Sequence, residues 1–395
     1  MQGGIMGTAT TEAVASSDPI SFEFTGKASE YFSIWIVNIL LTILTLGIYS
    51  AWAKVRTNQY FYGNTHLDGN TFRYLADPKK ILKGRIIAVI IFAAYYFSGL
   101  ISPFISLVAL GVIMLLMPAF LVMSMSFQLR NSAYKNIRFN FEKNFKGAYK
   151  IFVIPLLVIG GYIGVITLLQ PDQLAAQQEI PETLLATVVG FILVIFLMFP
   201  WWEYMFNRFK VDHADFGTSD FSFTAKKRAF YFLYLKALLG IILVGILFSV
   251  VFGGLIGAMT VMGAGKEGAA EAAVSPMLTI ALSLMMIIPY LWFFAYIQTK
   301  KVNLVFSHIK LEGHQVTSKL TVGYMMYLYA TNTLAMAVSL GLLMPWARIR
   351  TARYRVSMTA IEPAGDFNGF IAAQSKQQSA LGEEMGEMFD MDLGM

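Results

Sequence analysis

Cysteine is absent from the 395-residue chain, which excludes a disulfide framework, a thiolate metal site and a cysteine nucleophile. Charge is scarce as well. Charged residues make up 14% against 56% hydrophobic, whereas an ordinary soluble domain carries roughly 25% charged; that balance belongs to a membrane protein. No G-x-S-x-G, Walker sequence or HExxH occurs, and no Ser-Lys dyad or intramembrane aspartate pair stands out. Nothing therefore names a nucleophile, and the chain reads as a non-enzyme without a cofactor. The first residues lack both the basic n-region and the apolar h-region of a cleaved signal peptide.

What is present is apolar sequence in long blocks. Six blocks, at 86–101, 104–127, 151–170, 184–204, 232–259 and 277–297, approach or reach the roughly 20 helical residues that cross a hydrocarbon core. Consecutive blocks pair into hairpins, the first joined at Ser102-Pro103, the others by PDQLAAQQEIPE and GAGKEGAAEAAVSP, both nearly free of Lys and Arg. The loops on the other side are rich in Lys and Arg, which the positive-inside rule puts in the cytoplasm. The net charge of +6 thus marks a rim facing anionic lipid headgroups rather than a nucleic-acid surface.

The stretch 37–74 recurs in part near the C-terminus. Asn38, Leu46, Gly47, Trp52, Arg56 and Tyr60 match Asn332, Leu340, Gly341, Trp346, Arg350 and Tyr354 at a constant offset. A weaker F-x-F signal recurs at Phe22-Phe24, Phe72-Tyr74, Phe139-Phe141 and Phe221-Phe223, each before a new apolar block. The chain therefore reads as a degenerate internal repeat.

The apolar stretches 34–53 and 324–347 each suffice for one crossing. If both crossed, WAKVR and WARIR would face opposite compartments. The simpler expectation is two re-entrant or half-spanning segments that turn at Leu46-Gly47 and Leu340-Gly341, with Trp52 and Trp346 at the headgroup level and the two motifs packed near each other. The alternative is eight full crossings. The cytoplasmic segments have strand character: YFYGNTHL-DG-NTFRYL is a strong hairpin signal, LVFSHIKL-EG-HQVTSKL shares its form, and FKVDHADFGTSDFSF is looser. These hairpins could combine into a small sheet over the inner ends of the helices.

Candidate positions each carry two readings. Glu203, in PWWEYMFNR, is either a functional acid or an interfacial carboxylate paired with Arg208 or another loop base. Asn38 and Asn332 either line a polar vestibule or bond backbone freed near their glycine breaks. His66-Leu-Asp68 and His213-Ala-Asp215 share a spacing that could serve a metal, yet hairpin turns select Asp for backbone reasons, and no metal is assigned. An absence of charge from the middle of the long blocks lowers an ion-coupled transporter.

The run EYFSIWIVNILLTILTLGIYSAWAKVRTNQYFYGNTHLDGNTFRY, followed by KKILKGR and closed by MPWARIRTARY, resembles the YjgN family of bacterial inner-membrane proteins over roughly residues 22–363. The resemblance implies a multispanning inner-membrane protein of uncharacterised activity, and no catalytic residue comes with it.

The expected fold is all-α, with six transmembrane helices as three hairpins, two re-entrant elements and a small cytoplasmic β-hairpin cap. The expected domains are a disordered lead (1–20), a repeated membrane domain (21–361) and an acidic disordered tail (362–395), with both termini cytoplasmic. The first functional expectation is binding or scaffolding, the cap and tail engaging a membrane or cytoplasmic protein. The alternative is a transporter, channel or lipid-handling protein with a cavity between the Asn38 and Asn332 motifs.

Overall fold

The computed structural model describes residues 18–169, 182–263 and 276–392. Five copies of one unit follow each other: a five-residue strand, an outgoing helix, a returning helix and a strand of three or four residues. The first is β1 (Ile20–Phe24), α1 (Ala28–Leu44), α2 (Ser50–Gly63) and β2 (Thr65–Leu67); the second β3 (Asn70–Tyr74), α3 (Pro78–Ile101), α4 (Pro103–Arg130) and β4 (Ser132–Tyr134). The third is β5 (Ile137–Phe141), α5 (Phe145–Leu169), α6 (Glu182–Asp212) and β6 (Ala214–Phe216); the fourth β7 (Ser219–Phe223), α7 (Lys227–Gly263), α8 (Pro276–Phe306) and β8 (Ile309–Leu311). The fifth is β9 (His314–Ser318), α9 (Val322–Val338), α10 (Met344–Ser357) and β10 (Thr359–Glu362), after which comes α11 (Phe367–Asp392).

The ten strands close into an antiparallel barrel in which each pairs with its neighbours in sequence, and β1 closes the ring against β10 through Ile20↔Ile361 and Ser21↔Ala360. This overturns the all-α expectation: the hairpins expected to form a small sheet over the helices are staves of one closed ten-stranded barrel, and closure removes every sheet edge. The F-x-F repeats are the five-residue strands. Period-two alternation turns Phe22, Phe72, Phe139 and Phe221 into the lumen, where they pack with Leu67, Tyr134 and Phe216. In the fifth copy Val316-Thr317-Ser318 replaces the aromatic pair, and Val316 lies opposite Ile361. Turns at Asp68-Gly69, Lys135-Asn136 and Glu312-Gly313 have two consecutive positive φ values, the geometry whose twist suits a two-residue hairpin.

The helices form a second ring beneath the barrel. Each of α1 to α10 packs on the next, α10 packs back on α1, and no substantial helix contact crosses the ring. Among the described residues five helices are long and apolar enough to cross a membrane: Pro78–Ile101, Pro103–Arg130, Phe145–Ile166, Leu184–Asp212 and Lys227–Gly254. The expectation of six is corrected to these five; the block at 277–297 lies in α8, which is not among them. The joining segments PDQLAAQQEIPE and GAGKEGAAEAAVSP fall almost wholly outside the described residues, as do residues 1–17 of the expected lead. Ser102 explains the tight first turn: extended itself, it ends α3 and caps α4 by accepting from Phe104 N, with Pro103 at the first helical position.

The segment read as an acidic tail contains helix α11. Phe367, Phe370, Ile371 and Gln374 recur at helical spacing on α11, and the first three enter the barrel's hydrophobic core beside Ile137 and Phe216. Gln374 accepts from Thr218 N at 2.8 Å and donates to Ser219 Oγ at 2.7 Å. Four residues at one helical face are enough to turn a polar segment into a plug of the barrel's outer mouth.

Candidate functional site

The stretches expected to be re-entrant are helical hairpins that turn where the sequence indicates. Leu46 and Gly47 have φ of 49° and 91°, Leu340 and Gly341 51° and 88°, and each glycine N–H reaches back to a carbonyl five residues earlier, Thr42 or Met336, at 2.8 Å. The constant offset in sequence becomes a constant set of bonds. Asn38 Nδ2 donates to Ala53 O at 3.5 Å and Asn332 Nδ2 to Ala347 O at 3.4 Å, clipping the two legs of each hairpin. Tyr60 OH accepts from Lys27 N, as Tyr354 OH accepts from Thr321 N. Thr45 Oγ1 accepts from Tyr49 N, as Ser339 Oγ accepts from Leu343 N.

These two hairpins are neighbours in the ring. Arg348 donates to Tyr31 OH at 2.9 Å and Arg353 to Gly26 O at 3.0 Å. Trp52 stacks on Tyr49, whose ring also carries Arg56 at 5.8 Å, and Arg350 lies over both Trp346 and Tyr327 while donating to Thr331 Oγ1 at 2.6 Å. Asn38 lines a cavity of about 430 Å³ and Asn332 a second of about 560 Å³; the two share Thr57, Asn58 and Arg348. Each amide oxygen is buried without a hydrogen-bond partner. The amides thus act first as clips between helices, and the bond they make is to the returning leg, not to backbone at the glycine.

Glu203 lies elsewhere, buried where α6, α7 and α8 meet. Its carboxylate takes Lys301 Nζ at 3.0 Å and accepts from Tyr234 OH, so it is paired with a loop-side base, while Arg208 pairs with Asp212 instead. The two His-x-acid motifs do not assemble a metal site: His213 bonds Phe209 O and Asn144, while Asp215 accepts from Asn140. Among the described residues no three His, Asp or Glu side chains cluster to hold an ion. Burial, then the Asp220 carboxylate across the strand pair, push the Asp215 pKa up.

The barrel's inner mouth carries a site that the sequence did not mark. A cavity of about 360 Å³ lies where the ends of α2, α4, α6 and α8 meet β4 to β8. Phe139, Phe141 and Phe221 form its walls, and Gln128, Asn207 and Lys210 supply its polar groups. A further cavity of about 360 Å³ is a groove over α8 between α7 and α9, lined by Phe248, Phe252, Trp292 and other apolar side chains. Lys210 stands in a run of alternating basic and aromatic residues with no feature that separates it from its neighbours in sequence.

A model of the family described as "Bacterial protein of unknown function (DUF898)" matches residues 19–388. The inner membrane protein YjgN of Salmonella typhimurium strain LT2 is 24% identical over 359 residues, 86% of this chain and 87% of that one. The proteins of the same name from Escherichia coli K12 and O157:H7 are 30% and 29% identical over 184 residues, 44% of this chain and 45% of each relative. The match therefore spans less than half the length of the E. coli proteins. No solved structure matches.

Proposed function

Because the chain belongs to the DUF898 family of bacterial proteins of unknown function, and relatives carry the name inner membrane protein, we propose that it is a lipid-handling protein whose helix ring admits bilayer lipid from the side. The observation that carries this reading is the uneven height of the wall. At 1.5 Å per residue, the legs of the first and fifth hairpins, 14 to 17 residues each, rise only ~21–25 Å, while α3 to α8, of 24 to 37 residues, rise ~36–55 Å. Barrel closure makes the two short hairpins neighbours, so the ring has one low side, flanked by α3 and α8.

The upper part of α3 has the exposure that such an edge demands. Ile87, Val89, Ile90 and Phe92 spread around more than half of that helix and are 45%, 65%, 61% and 68% exposed, while the remaining side, through Ile91, Tyr95 and Ser98, is the more covered one. In a filled bundle more of the circumference would be covered. Ten helices set side by side at 8–10 Å also enclose more space than side chains fill. The long blocks that form most of this wall are nearly free of charge, which suits acyl chains better than ions.

The basic loops adjoin the barrel, so the positive-inside rule supports a cytoplasmic barrel, and with it the reading that β1 and the start of α11, which lie at the barrel, face the cytoplasm. The scaffolding role comes second, because the start of the tail that would engage a partner is held inside the barrel. Native mass spectrometry after exhaustive washing in mild detergent tests the proposal. Phospholipid retained on the chain is the expected result; a chain that is bare under all such conditions would remove it.

A further inference from the structure

The cavity at the barrel's inner mouth joins an apolar chamber to a single unneutralised cation. Lys210 sits in the last turn of α6 and lines this cavity together with Gln128 and Asn207. Four ion pairs form among the described residues, and Lys210 is in none of them. The acid nearest in sequence, Asp212, is taken by Arg208, and Glu203 is taken by Lys301. Lys301 is also close enough to repel Lys210. Among the described residues its ammonium has the face of Phe206, at 5.9 Å, as a favourable neighbour. With Glu203 taken by Lys301, Lys210 leaves a net positive charge in a site walled by Phe139, Phe141 and Phe221. Such a site suits an anion.

Depth identifies which anion fits. The membrane-capable part of α6 has 29 residues and so runs ~43 Å at 1.5 Å per residue, against a hydrocarbon core of about 30 Å. Its last turns therefore stand at headgroup level, directly under the chamber. We propose that the barrel's inner mouth binds the anionic headgroup of a bilayer phospholipid, with Lys210 as the counter-ion and the acyl chains standing in the helix ring. The inference rests on the lipid-handling reading and adds the class of lipid: one with net negative charge, whose phosphate meets Lys210 while the amides of Gln128 and Asn207 flank it. A zwitterionic lipid brings its own cation to an already positive site.

The experiment compares retention of phosphatidylglycerol and phosphatidylcholine from equimolar mixed micelles by native mass spectrometry of the full chain. Phosphatidylglycerol is expected to be retained at least ~5-fold over phosphatidylcholine, which corresponds to a modest difference in affinity. Lys210→Met should bring the ratio to about one, Lys210→Arg should keep it, and Lys83→Met, on the exposed start of α3, should leave it unchanged. Inorganic phosphate should not displace the lipid, since it gains nothing from the apolar walls. Lipid retained without class preference, or preference untouched by Lys210→Met, overturns this inference and leaves the lipid-handling reading standing. Displacement by inorganic phosphate as effective as by lipid makes this a free-anion site and also overturns it. A bare wild-type chain removes both.

Discussion

Replacing Phe367 and Ile371 together by Ala is expected to release helix α11 and to raise the rate of tryptic cleavage after Lys376 by at least ~100-fold. Both side chains are buried in the barrel, 6% and 5% exposed, and large-to-small changes at such sites cost about 2–5 kcal/mol each. The two contact one cluster, so the sum is not strictly additive, but even half of it exceeds what one helix face can lose and stay docked. Lys376 is the sole base after Arg355, exposed on the helix and open to cleavage once the backbone unwinds. Barrel strands should keep their protection in the variant, because β1 to β10 pair without α11. Unchanged cleavage would mean that the tail is not a plug.

The same contact sets a pH dependence. His314 Nδ1 accepts from Ala364 N at 3.1 Å, at the head of α11, and its ring lies against Phe367 and Phe370. Burial lowers the His314 pKa below its ordinary 6.5, with Glu312 opposing. The undocked form therefore binds a proton more readily than the docked one. Docking is at full strength above pH 6.5 and weakens as pH falls through 6.5 toward the lower docked value. Hydrogen exchange across α11, corrected for intrinsic rates, should rise between pH 7.5 and 5.5, and His314→Phe should remove that part of the rise.

The second large effect concerns the tips of the short hairpins. Leu46 and Leu340 are 94% and 93% exposed, both with positive φ. In water, Leu→Asp at such a position would be neutral or slightly stabilising, since Asp tolerates the left-handed region better than Leu and no packing is lost. In lipid the sign reverses: exchanging Leu at about −0.5 kcal/mol for Asp at about +3 kcal/mol costs roughly 3.5 kcal/mol per tip. Leu46→Asp with Leu340→Asp should therefore cut the yield of folded protein in the membrane fraction several-fold. Asn at both positions, which suits the same backbone without a charge, should cost far less. A double Asp variant that inserts like the parent would show that water, not lipid, covers these tips.

Residues local in sequence made part of this architecture legible. The turns at Leu46-Gly47, Leu340-Gly341, Asp68-Gly69 and Glu312-Gly313 were readable because glycine or acid-glycine pairs mark positive φ, and the offset between Asn38 and Asn332 marked equivalent hairpins. Closure of the barrel was not readable. Its staves are three to five residues long, too short for a periodic signal, and its closing pair, Ile20↔Ile361, joins the two ends of the chain. The fivefold repeat was hidden where Lys135-Asn136 turns without glycine and where Val316-Thr317-Ser318 replaces F-x-F. Helix α11 did leave a trace, Phe367, Phe370, Ile371 and Gln374 at helical spacing, but a polar, acidic composition masked it. Lys210 left none, because its distinction is the lack of an acid within reach, and that depends on where Arg208 and Lys301 find theirs.

The account stands or falls on the wall having an open edge, and the absence of cysteine permits a direct test. Single cysteines at Ile87, Val89, Ile90 and Phe92, spin-labelled and reconstituted in lipid, report collision with oxygen, which concentrates in the hydrocarbon. High collision rates at all four positions are the result this architecture predicts. A rate that dips at one of the four, with the helical period of a covered face, would mean that α3 is packed within a filled bundle.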